Sequence, residues 1–139
     1  MMTRSEGLPA NTLRMSSYRD LKVWQHAVKL AVECAKTAKR FPVEEQGVLA
    51  DQLRRAAHSV PLNIAEGAAR KGVREFRRFL DTARGSLLEV QTALQIAREL
   101  QYLTEEDFNR LDAVATETAK TLWGLLRRVS ASTTRTPVP

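Results

Sequence analysis

Arginine is the residue type whose number and spacing could do chemistry in this 139-residue chain. Between Ala50 and Gly85 stand eight cations, Arg54, Arg55, Arg70, Lys71, Arg74, Arg77, Arg78 and Arg84, against four acids, Asp51, Glu66, Glu75 and Asp81. That stretch of 36 residues carries +4 of the formal +6 of the whole chain. A guanidinium is a planar fork that matches phosphate or carboxylate through paired hydrogen bonds, so the chemistry within reach is recognition of an anion. At helical spacing Arg74, Arg77 and Arg84 point the same way, opposite the apolar stripe of their segment. The eight side chains form the candidate nucleic-acid-binding set, for RNA or DNA. Contact of this kind runs through the phosphate backbone, weakens with salt and reads sequence poorly. A solvated face of a basic protein has the same composition, and the aromatic interleaving typical of base-stacking surfaces is missing.

A second pattern is a polar file. Gln52, Arg55, Ser59, Asn63, Glu66 and Arg70 follow one another at intervals of three and four, beside an apolar stripe. It reads either as a solvated flank or as a seam against another subunit or a ligand, with Arg55 and Arg70 pairing with Glu66 or with phosphate. No catalytic residue is assigned, because general acid–base chemistry by Glu66 needs a second positioned group. Cys34 continues an apolar stripe and reads as core rather than as a nucleophile. No metal or cofactor is assigned either. Neither His26 nor His58 has a glutamate three residues before it, as the di-iron bundle pattern requires, and no glycine-rich loop follows a strand. Gly85, costing a helix interior about 1 kcal/mol against alanine, reads as a point where another backbone comes close. The expectation is a protein that is not an enzyme.

The elements that must position these groups are helices. Apolar residues recur at spacings of three and four, and period-two runs of β-branched residues are missing. The first stretch, about Leu21 to Arg40, carries Trp24, Ala27, Val28, Ala31, Cys34, Ala35 and Ala38, with Asp20 as a candidate N-cap and Phe41-Pro42 as its stop. The second, about Glu44 to Ala69, carries Leu49, Leu53, Ala56, Ala57, Val60 and Ile64. Pro61 removes a backbone donor there, which predicts one kinked helix or two helices meeting near Ser59. Gly67 and Gly72 bracket a loose end and a turn.

The third stretch, about Val73 to Leu100, places Phe76, Phe79, Leu80, Ala83, Leu87, Val90, Leu94 and Ala97 on one stripe. Thr104-Glu105-Glu106-Asp107 then opens a fourth in the manner of a capping box. Short connections force neighbouring helices to run in opposite directions, so the fold class is all-α: an antiparallel up-down-up-down four-helix bundle over residues 18–129, with residues 1–17 and 130–139 as disordered tails.

Apolar residues make up 43% of the chain, enough for a core, and no apolar run approaches the roughly 18 residues a membrane-crossing helix needs. The N-terminal residues lack a secretory h-region and Cys34 stands alone, which points to the cytoplasm. Leu62, Leu88 and Ile96 lie off the main stripes, and a second apolar surface on a small bundle suits self-association or a protein partner.

The runs DLKVWQHAVKLA (Asp20 to Ala31), QLRRAAHSVPLNIAEGAAR (Gln52 to Arg70), EFRRFLDTARGSLLEVQTAL (Glu75 to Leu94) and LQYLT (Leu100 to Thr104) resemble the four-helix-bundle proteins encoded in intervening sequences of bacterial 23S ribosomal RNA genes, often labelled the S23 ribosomal protein family. The positions that match the pattern include Arg54, Arg55, Ser59, Asn63, Glu66 and Gly67, then Phe79, Gly85, Ser86 and Glu89. The resemblance implies a bundle that assembles into a homopentamer. It also implies kinship with the accessory variability determinant proteins of diversity-generating retroelements, which bind nucleic acid on a basic surface. On that reading Ser59, Asn63, Glu66, Gly85, Ser86 and Glu89 are a structural or interface motif. The alternative is a protein-binding adaptor, associated with a reverse transcriptase or a ribosome and making no direct contact with nucleic acid.

Overall fold

The computed structural model describes residues 17–134. The chain folds into α1 (Lys22–Ala38), α2 (Leu49–Ala68), α3 (Val73–Glu99) and α4 (Glu105–Thr134), with short 3₁₀ turns at Tyr18–Asp20 and Val43–Glu45. No strand occurs among the described residues. The tails were expected at 1–17 and 130–139; residues 1–16 and 135–139 lie outside the described part. Where the second tail was expected to begin, α4 runs on from Val129 to Thr134.

Local chemistry explains the boundaries. Asp20 is not the cap of α1. It sits in the 3₁₀ turn, whose own N-cap Ser17 accepts a hydrogen bond from the Arg19 amide at 3.0 Å, and α1 starts after Leu21 without a side-chain cap. Likewise α2 begins five residues later than expected, because Val48 adopts a non-helical φ, ψ of −122°, −95°. Glu45, freed from the helix, bridges elements: its carboxylate accepts from the Leu49 amide at 3.2 Å and from the Tyr102 hydroxyl at 2.9 Å. That bond holds the Tyr102 phenol above its ordinary pKa. At the start of α4 the predicted cap forms, with Thr104 Oγ1 accepting from the Asp107 amide at 3.0 Å.

Pro61 does not split α2. The helix continues from Leu49 to Ala68 with the proline ring buried inside it. The ring borders a shallow groove that it shares with Val28, Ala31, Val32 and Ala35 of α1, at the cost of one backbone hydrogen bond that proline cannot donate.

The core is one layer of small and branched side chains between four helices. Leu30, Cys34, Leu53, Ile64, Leu80, Val90, Leu94, Leu111 and Leu122 are essentially inaccessible to solvent. Thr118 is buried with its hydroxyl donating to the Val114 carbonyl at 2.8 Å, whereas the buried Thr37 hydroxyl has no hydrogen-bond partner. Each helix packs on the next in sequence, and α4 closes on α1. Between α2 and α3 the facing residues run Gly67 with Phe79, then Ser59 with Ser86. From α3 to α4, Arg98 meets Phe108 while Arg84 and Leu87 share a groove with Leu122. Numbers fall on one helix as they rise on its neighbour, the register of antiparallel packing. Arg40 pairs with Asp107 at 2.8 Å, and Arg110 pairs with both Asp107 and Glu33, so α1 and α4 are tied by charge at the end remote from the Arg70–Arg78 cluster.

Candidate nucleic-acid interface

The eight predicted cations do not form one uniform set. Arg54 is half-buried and turned inward: its guanidinium donates to the Gln46 carbonyl at 3.0 Å and to the Gln46 side chain at 3.3 Å, fastening the α1–α2 connection. Arg55 is exposed but pairs with Asp51 at 3.0 Å, one helical turn away. Both stand far along α2 from the turn that joins it to α3. The structure therefore removes Arg54 from the candidate interface and leaves Arg55 at its far side.

The other six gather around the α2–α3 turn and the first half of α3. That turn is sharp because Gly72 adopts φ +91°, a backbone conformation L side chains rarely tolerate. Just before it, Gly67 presses against α3, and a Cβ there would lie 2.8 Å from Phe79 Cβ. Gly67 is thus the close-approach glycine, not a loose helix end. Phe79 in turn lies under two guanidinium groups, Arg70 at 5.1 Å and Arg78 at 4.5 Å from the ring centre. Arg70 is further paired with Glu66, and Arg78 with Glu75 at 3.0 Å. The hydrogen bond from Arg78 holds the Glu75 carboxyl below its ordinary value. Four cations remain. Lys71, Arg74, Arg77 and Arg84 are exposed and make no ion pair among the described residues.

The polar file divides in a similar way. Ser59 and Ser86 hydroxyls bond across α2 and α3 at 2.8 Å, and the Asn63 amide donates to the Ser59 carbonyl and hydroxyl at 2.8 and 2.9 Å. This is an internal tie between the helices. Glu66 leaves the tie and pairs with Arg70. Glu89 is exposed and, with Gln52, Arg55, Thr92 and Ile96, edges an open groove of about 570 Å³ between α2 and α3. At Gly85, where close approach of another backbone was expected, a Cβ would meet nothing within 4 Å, so none of the described residues of this chain comes close.

Sequence reasoning missed two features. Gln46 organises the inward turn of Arg54, and loop geometry rather than any spacing brings them together. Trp123 is 53% exposed in a groove shared with Arg84, although its intervals of three and four from Lys120 and Arg127 were readable. Among the described residues no group of three or more His, Cys, Asp or Glu side chains could hold a metal ion, and no helix is long and apolar enough to cross a membrane. Burial pushes the Cys34 thiol up to about 12, with the charge of Glu33 adding to the effect.

Fold and surface together define an all-α four-helix bundle with a concentrated, partly unpaired basic face at one end. Residues 19–124 match the family described as 23S rRNA-intervening sequence protein, and the chain belongs to that family. Its fold is similar to the crystal structure of a protein with unknown function from the S23 ribosomal protein family of Bacteroides thetaiotaomicron VPI-5482, with a TM-score of 0.69 and 25% identity. The similarity covers 75% of this chain and 97% of that one. No match was found among curated proteins.

Proposed function

We propose that this protein is a non-enzymatic, cytoplasmic homo-oligomer, a pentamer by family resemblance, that binds the phosphate backbone of RNA or DNA. The observation that carries this reading is the group of four exposed cations with no acidic partner among the described residues, Lys71, Arg74, Arg77 and Arg84, beside the tethered pair Arg70 and Arg78. Unpaired guanidinium groups on a rigid helix are free to take phosphate oxygens without first breaking an ion pair. The family description, which names an intervening sequence of ribosomal RNA, supports a nucleic-acid context. Repetition of the face around a ring multiplies a modest charge into a larger positive field.

Salt-titrated binding to single- and double-stranded RNA and DNA tests the proposal. Affinity falls linearly on a log–log plot, and replacing Arg74, Arg77 and Arg84 together with alanine lowers the slope by about three units on duplex DNA, near 0.9 per lost phosphate contact. Undetectable binding at low salt, or affinity indifferent to salt, overturns it. The second reading, a protein-binding adaptor, is favoured by one observation: Leu88 and Ile96 are 55% and 44% exposed along the α2–α3 groove. In that case the protein binds no polynucleotide at low salt, and the triple variant abolishes capture of an acidic protein partner.

A further inference from the structure

Among the described residues the other aromatic side chains are buried or half-buried, whereas Trp123 stands 53% exposed on α4. Its surroundings are basic. Arg84 lines the same groove, about 180 Å³ in volume, whose floor is Leu87, Ala119 and Leu122. On its own helix the indole is flanked by Lys120 three residues before it and Arg127 four residues after it, the spacings that place side chains on one face. Arg77 lies two turns before Arg84 on α3, on the same side of that helix. All four cations are exposed and none forms an ion pair among the described residues. The nearest acid on that stretch of α4, Glu117, projects from a different side of the helix, about 120° away by helical periodicity. On α3 the acid Asp81 stands one turn from both Arg77 and Arg84, so the indole lies among several cations and one acid of that helix. The chemistry of the face is specific: the cations attract phosphates while the ring offers a flat apolar surface to whatever those phosphates carry.

We infer that Trp123 is a stacking platform for an unpaired nucleobase, so that the α3–α4 seam selects single-stranded over duplex nucleic acid. The inference rests on the phosphate-binding reading above and adds the substrate class. In a duplex the bases are already stacked on one another, and only the phosphates remain for the arginines. A single strand can turn one base onto the indole while its backbone runs along Arg77, Arg84 and Arg127.

The test uses the full chain with oligothymidylate and oligouridylate single strands and with a duplex of equal length. Single strands quench the tryptophan fluorescence component that Trp123→Phe removes, and the duplex does not. Trp123→Ala weakens single-strand binding by about 5- to 150-fold, the range for one stacked base, and leaves duplex affinity within about twofold. Trp123→Phe retains part of the single-strand affinity, which separates stacking from a merely structural role. Equal loss on both substrates, or no loss on either, overturns the platform while leaving the phosphate reading intact. Trp123→Ala that dissociates an oligomer without weakening single-strand binding assigns the indole to a contact between copies and also overturns it. Absence of any polynucleotide binding at low salt overturns both readings together.

Discussion

Cys34 shows how a single residue reports its surroundings. Its thiol is buried in the α1 stripe, and desolvation raises its pKa from 9.0 to about 12. The unfolded chain ionises at the ordinary value and the folded one does not. Its contribution to stability is therefore complete below pH 9 and is lost as the pH rises from about 9 towards 12. Unfolding in denaturant across that range should show a downward slope of stability with pH that is shallower in Cys34→Ala. A charged thiol reagent at neutral pH should label the native protein only as fast as the chain opens. The reading of Cys34 as core followed from its place in a helical stripe. Arg54 could not be read the same way, because its sequence neighbours look like those of an exposed arginine and its partner, Gln46, sits in a loop whose path no periodicity describes.

The helices were legible because each carries a stripe at intervals of three and four, and legible even where a breaker intervenes. Pro61 stays inside one continuous helix, its buried ring bordering a groove shared with α1 that lies outside the segment. Two of the helical glycines depart from the roles expected of them within this chain. At Gly67 an added methyl group would meet Phe79 Cβ at 2.8 Å and Phe76 Cδ1 at 3.1 Å, so Gly67→Ala should destabilise the fold by about 1–3 kcal/mol through overpacking. Gly85 has open space around it, and Gly85→Ala should stabilise the protomer by about 0.5–1 kcal/mol through helix propensity alone. Chemical denaturation of both variants measures the contrast. A loss of stability or of assembly in Gly85→Ala would place the backbone of another copy against that position.

At the scale of the whole molecule the two ends of the bundle use their arginines differently. The α2–α3 turn and the first half of α3 hold Lys71, Arg74, Arg77 and Arg84, which have no ion-pair partner among the described residues, while the opposite end ties Arg40, Asp107, Arg110 and Glu33 into one network. Native mass measurement should return a fivefold multiple of the 15.6 kDa protomer, and a monomer at micromolar concentration would remove the ring from the proposed function.

Some of this protein was determined by sequence alone. The periodicity of its apolar residues dictates four helices, since only one face of each can be buried, and the short connections dictate that neighbours run antiparallel. The concentration of arginine before and along α3 was equally plain. Which arginines are free was not. That depends on whether an acid or a carbonyl happens to lie within about 3–4 Å in space, a relation between helices that spacing along one helix cannot express. The tertiary structure turned Arg54 inward, moved the close contact from Gly85 to Gly67, and set Arg84 beside Trp123 across a groove that exists only between two packed helices.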